Sequence, residues 1–197
     1  MKKKWILIPA LVLSVACAVG GTLAYFTHSE TAHNVITAGN VEIALVEKQL
    51  AENGKEVDYP EDPIENVMPG TKVSKIVRVE NLDDFQDCWV RVKITPLITL
   101  ADGTKVDAAE AGVVVTTDAP KDASSWIASG GYFYHKTPVK AGKTTGNLME
   151  QVTFADKAMG NKYQNCTVDI LVEAQAVQYK NTEAGNDVLK AAGWPKS

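Results

Sequence analysis

Apolar and polar residues alternate with a period of two along most of this chain, and the alternating segments are separated by turn-forming residues. That is the pattern of strands with one buried face. The clearest segment comes late, where Val168, Ile170, Val172, Ala174 and Ala176 share one parity and Asp169, Glu173 and Gln175 the other. Cys88, Val90, Val92 and Ile94 likewise oppose Trp89, Arg91 and Lys93, while Val41, Ile43 and Leu45 alternate with Glu42 and Ala44, and Glu150, Val152 and Phe154 with Gln151 and Thr153. Val73, Val77 and Val79 share a parity with Lys75, a less regular strand in which Ile76 is expected to be buried on the second face. The run Val113 to Val115 and the aromatic stretch Gly131 to His135 add two short strand candidates.

Met68-Pro69-Gly70, Ala101-Asp102-Gly103, Ser129-Gly130-Gly131 and Lys140-Ala141-Gly142 punctuate these segments as turns. Seven or more short strands spaced in this way predict an all-β fold of two packed antiparallel sheets, a β-sandwich of jelly-roll-like form. Residues 48 to 68 are acidic, contain prolines and lack apolar alternation, which predicts a surface loop. Glu183 to Ala192 has the composition of a short C-terminal helix stopped by Gly193 and Pro195, with Trp194 placed to pack back on the body.

The first 25 residues are of another kind. Lys2, Lys3 and Lys4 precede an apolar stretch without Asp, Glu, Lys or Arg up to residue 29, and small residues follow at Ala16, Ala18, Gly20 and Gly21. A basic start, an apolar centre and small residues together predict a signal helix for export. Retained instead of cleaved, the same stretch is long enough to anchor the chain in a bilayer, and this leader is the expected route to a membrane. Removing the three lysines with the leader changes 20 basic against 24 acidic residues to 17 against 24, a net charge of −7. An acidic body without a large basic cluster is a poor match for phosphate backbones, so no nucleic-acid partner is expected. In an oxidising exterior Cys88 and Cys166 are a candidate disulfide; two small buried residues at strand starts are the alternative reading.

Catalytic constellations are sparse. The histidines are His28, His33 and His135, and none forms a His-Glu-x-x-His zinc motif; no Gly-x-Ser-x-Gly elbow occurs. Asp83, Asp84 and Asp87, and Asp58, Glu61 and Asp62, are acidic clusters without the spacing of a calcium loop, and solvated loops account for them. No catalytic residue, metal ligand or cofactor is therefore assigned. Asn165-Cys166-Thr167 matches the glycosylation sequon.

Gly21-Thr22-Leu23-Ala24-Tyr25-Phe26-Thr27-His28-Ser29-Glu30-Thr31, followed by Val35-Ile36-Thr37-Ala38-Gly39-Asn40-Val41, resembles the leader junction and first strand of the TasA/camelysin family of exported bacterial proteins, those with the SipW-dependent type of signal peptide. The resemblance resumes at Val67-Met68-Pro69-Gly70 through Val79-Glu80-Asn81, at Trp89-Val90-Arg91-Val92, from Gly131 to Phe154 and at Glu173-Ala174-Gln175-Ala176-Val177-Gln178. It implies a jelly-roll body, cleavage by a dedicated signal peptidase close to Tyr25 and Phe26, and secretion to a bacterial cell surface or biofilm matrix. It also implies fibres formed when the N-terminal segment of one subunit adds as a strand to the next. The partners so implied are further copies of the chain and other matrix proteins.

The resulting expectation is a signal peptide over 1–25, an N-terminal extension over 26–40 and a sandwich domain over 41–197. The extension is a candidate donor segment carrying Phe26, Val35 and Ile36, or else a tail before the first strand. Part of the family is described as a metallo-endopeptidase, so a camelysin-like enzyme is a second expectation, although no zinc motif supports it. A monomeric surface binding module is a third.

Overall fold

The structure, a computed structural model, describes residues 34–38, 41–60, 62–65, 68–82, 84, 86–155, 157–180, 182 and 184–195. The predicted signal helix, the cleavage residues Tyr25 and Phe26, and the first part of the candidate donor segment lie outside them.

Among the described residues ten strands follow one another: β1 (Asn34–Ala38), β2 (Ile43–Leu50), β3 (Glu56–Asp58), β4 (Lys72–Asn81), β5 (Cys88–Thr99), β6 (Val115–Thr117), β7 (Trp126–Ser129), β8 (Tyr132–His135), β9 (Met149–Phe154) and β10 (Thr167–Gln178). Among the described residues one helix, α1 (Ala108–Val114), precedes β6, and two 3-10 turns lie at Asn161–Tyr163 and Val188–Lys190. The strands form two five-stranded sheets, ordered β1-β10-β5-β8-β7 and β3-β2-β4-β9-β6. Every pairing is antiparallel except β1 with β10.

The alternation read from the chain sets which face each strand buries. Val90 and Val92 of β5 and Val172, Ala174 and Ala176 of β10 meet Val77 and Val79 of β4 and Val152 and Phe154 of β9 in one apolar core between the sheets. The small alanines at the end of β10 are fully buried there. A second, smaller cluster of Trp89, Val177, Ala184, Val188 and Ala191 lies apart from the main core. It is built from the opposite parity of β5 and β10 and from the C-terminal segment. Gly130 and Gly131 join β7 to β8 with φ of 56° and 81°, angles that a side chain would disfavour.

Several expectations need correction. The run Val113 to Val115 is not one strand: Asp107 caps a helix by accepting from the Ala109 amide at 2.9 Å, and the chain becomes extended only at Val115. Ala111 and Val114 are buried while Gly112 and Val113 between them are exposed, a helical rather than a pleated spacing. Residues 48–68 are not loop throughout. β2 continues to Leu50, turns through Ala51–Gly54 and returns as β3, all three residues of which are exposed. Exposure on both faces is why alternation did not reveal this hairpin. The C-terminal helix reduces to the turn Val188–Lys190, capped by Asp187, and Trp194 does pack back against the second cluster.

The irregular parity of β4 also has a cause. Its register with β9 shifts between Ser74 and Val77, and Lys75 is buried at this bulge, 3% exposed. Ile76 is buried outside both apolar clusters.

Cys88 and Cys166 are both buried, yet they are not bonded to each other. Cys88 opens β5 opposite Gln178, whereas Cys166 precedes Thr167, which lies opposite Thr99. The two cysteines thus stand at opposite ends of the β5–β10 ladder, about 40 Å apart at the usual rise of a strand, while a disulfide needs Cα atoms within about 7 Å. The alternative reading, two small buried residues beside strand starts, describes them.

Candidate functional site

β10 is the place where the predicted donor residues meet the sandwich. One edge of β10 is paired along its whole length with β5, from Thr167 opposite Thr99 to Gln178 opposite Cys88. The other edge is only partly taken. β1 runs parallel to it from Asn34 opposite Glu173 to Ala38 opposite Val177, and Ile64 bridges Val168, with amide to carbonyl distances of 2.8 and 3.0 Å. Between these two contacts, among the described residues, no strand pairs with Asp169 to Val172 on that edge.

Val35 and Ile36, named from the sequence, therefore lie in a strand on their own chain's sheet. Val35 packs against the main core opposite Ala174, Ile36 is 37% exposed opposite Gln175, and Ala38 packs against the second cluster. Among the described residues β1 is flanked by a single strand, β10, and ends the sheet order.

A charged group is buried in the other sheet. Glu47 follows Leu45 on the inward parity of β2, and Lys75 Nζ lies 2.6 Å from Glu47 Oε1 and 3.6 Å from the centre of the Tyr59 ring. Tyr59 reaches this place because the chain leaving β3 is held by the Tyr59 amide donating to the Glu47 carbonyl at 3.2 Å. The same chain continues to Ile64 and its bridge to β10. Burial, then the carboxylates of Glu47 and Asp169, push the Tyr59 phenol up to about 12. A buried cation balanced by a carboxylate and an aromatic face is a specific arrangement, since a misplaced strand would leave the charge alone. Alternation alone could not reveal it, although a lysine on a buried parity was the visible signal.

The first sheet carries a polar and aromatic group of its own. The Arg91 guanidinium is 4.1 Å from the Tyr132 ring centre and 4.7 Å from that of Trp194. It donates to Gln175 Oε1 at 2.8 Å, to the Tyr134 hydroxyl at 3.3 Å and to the Pro195 carbonyl at 3.1 Å. Tyr134 and Trp194 meet edge to face at 5.7 Å. The segment Ala184 to Pro195 is thus a strap, with Ala184, Val188 and Ala191 in the cluster around Trp89 and its end clasped by Arg91.

The remaining candidates have structural surroundings. His135 is buried, its Nδ1 is 2.6 Å from the Thr137 carbonyl and its ring meets Trp126 edge to face; burial lowers its pKa. Asp87 pairs with Lys140 at 2.7 Å and Asp58 with Lys48 at 2.5 Å. Among the described residues no group of three histidine, cysteine or acidic side chains is placed to hold a metal, and no helix is long and apolar enough to cross a membrane. Burial raises the Cys166 thiol, which lowers its reactivity. Asn165 is exposed, with φ of 58°, and borders a cleft of about 470 Å³ that Met68, Met159 and Tyr163 also line.

Comparison with protein-family models gives no match to this chain, and comparison with curated proteins gives none either.

Proposed function

We propose that this chain is a secreted structural protein of a bacterial cell surface or biofilm matrix, a jelly-roll-like sandwich that assembles into fibres by N-terminal strand addition. The observation that carries the proposal is the second edge of β10, on which a five-residue parallel strand and a single bridge leave Asp169 to Val172 without a strand among the described residues. Backbone amides and carbonyls at such an edge are satisfied by any extended segment of suitable parity. β1 has the features of an exchangeable occupant: it is short, it has one strand neighbour, and it follows a segment that the leader junction would leave at the new N-terminus. A second copy supplying the same residues in the same register makes a head-to-tail contact, which propagates into a fibre when the rotation between copies does not close a ring. The acidic net charge keeps unassembled subunits apart until that contact forms.

Deletion of residues 26–38 tests the proposal. Negative-stain electron microscopy of the parent protein should show fibres, and the deletion should leave dispersed particles whose β-sheet circular dichroism is retained. Fibres of unchanged appearance and yield from the deletion would overturn it.

A further inference from the structure

The strap and β1 share one apolar cluster although they lie at opposite ends of the described chain. Ala38, the last residue of β1, packs against the cluster of Trp89, Val177, Ala184, Val188 and Ala191. Three of those five residues belong to the strap. The rest of β1 has less to hold it: Val35 alone reaches the main core, Ile36 is more than a third exposed, and among the described residues the strand has a neighbour on one edge.

The strap in turn depends on few attachments. Its 3-10 turn at Val188–Lys190 is only three residues long, and its far end is fixed where Arg91 donates to the Pro195 carbonyl and lies over the Trp194 ring, with Tyr134 against the ring edge. A guanidinium between two aromatic faces is a directional contact that is lost as a unit when the ring is removed. Segments with few buried contacts open locally, well below the free energy of global unfolding.

We infer that the C-terminal strap is a clasp on β1: while Trp194 is seated on Arg91, the strap holds the end of β1 against β10, and when Trp194 leaves, β1 loosens while the sandwich stays folded. The physical link is the shared cluster: Ala38 packs against it, and withdrawing Ala184, Val188 and Ala191 removes three of its five residues. The consequence for assembly, that unclasping makes the β10 edge available to a second copy, rests on the function proposed above. The clasp itself does not.

Hydrogen exchange of the purified chain, read by mass spectrometry in the unassembled state, tests this directly. Trp194→Ala should speed exchange about tenfold in residues 34–38 and in Val188 to Ala191, while Val90 to Val92 and Val152 keep the parent rate. Truncation after Gly193 should do the same, and Trp194→Phe should stay near the parent. The clasp is overturned if the strap accelerates and β1 does not, if neither moves, or if the core accelerates by the same factor as β1. Fibre growth measured on the same samples separates the two proposals. Faster exchange in β1 without fibres from any variant supports the clasp and rejects strand-addition assembly; unchanged exchange with normal fibres does the reverse.

Discussion

β5 and β1 flank the same strand, one on each side of β10, and they are held very differently. β5 is matched with β10 over twelve consecutive pairs, both strands send valines and isoleucines into the main core, and β10 adds Ala174 and Ala176. β1 is matched over five pairs, in parallel, with one side chain reaching that core and another sharing a small external cluster. Main-chain hydrogen bonds are of the same type on both sides, and each contributes modestly once water is replaced. The difference lies in apolar burial, which scales with the area removed from water. Two edges of one strand can therefore belong to different levels of stability, the first to the global fold and the second to a local equilibrium.

Truncation of a side chain in each ladder would show the contrast most strongly. Ile98 of β5 is buried and Ile36 of β1 is not. Ile98→Ala is expected to cost about 4 kcal/mol in urea unfolding, and Ile36→Ala under about 1 kcal/mol. Equal losses would mean that β1 is as much a part of the cooperative unit as β5.

A smaller effect is expected at the buried ion pair across from this edge. Lys75→Met leaves the Glu47 carboxylate without its 2.6 Å partner, for a loss of about 3 kcal/mol, and Lys75→Met with Glu47→Leu should recover most of it. If the double variant is no more stable than the single one, the cost comes from packing at the β4 bulge instead of from the stranded charge.

The smallest effect is set by pH. The Tyr59 phenol, at 10.0 when free, is raised to about 12 in the folded chain, first by burial and then by the Glu47 and Asp169 carboxylates. The unfolded chain loses this proton first, so the contribution is fully present below pH 10 and is lost as the pH rises from 10 to about 12. Chemical denaturation across that window should show the loss in the parent protein, and Tyr59→Phe should remove that component. An unchanged alkaline slope would place the effect on other groups.

Much of this contrast was readable beforehand in β5 and β10, whose alternation picked out the face toward the main core, although Trp89 and Gln175 on the opposite face, expected to be solvated, are fully buried as well. β3 was not readable, because Glu56, Val57 and Asp58 are all exposed and burial leaves no period there. α1 was missed because three consecutive valines outweighed the cap at Asp107 and the alanines that follow it. The strap was half visible: Trp194 was placed to return to the body, but nothing local pointed to Arg91 as its partner, since a hydrogen bond spanning 104 residues has no local signature.

The chain by itself determined which residues of β2, β4, β5, β9 and β10 face inward, where turns interrupt them, and that their apolar faces require two sheets. These follow from a two-residue period that any strand carries locally. Only the tertiary structure decided that β1 lies on its own β10, that Cys88 and Cys166 stand a full strand length apart, that Lys75 meets Glu47 and Tyr59, and that Ala38 of β1 and the C-terminal strap share one apolar cluster. Each of these depends on strand order and register, which are settled by how distant segments share one core.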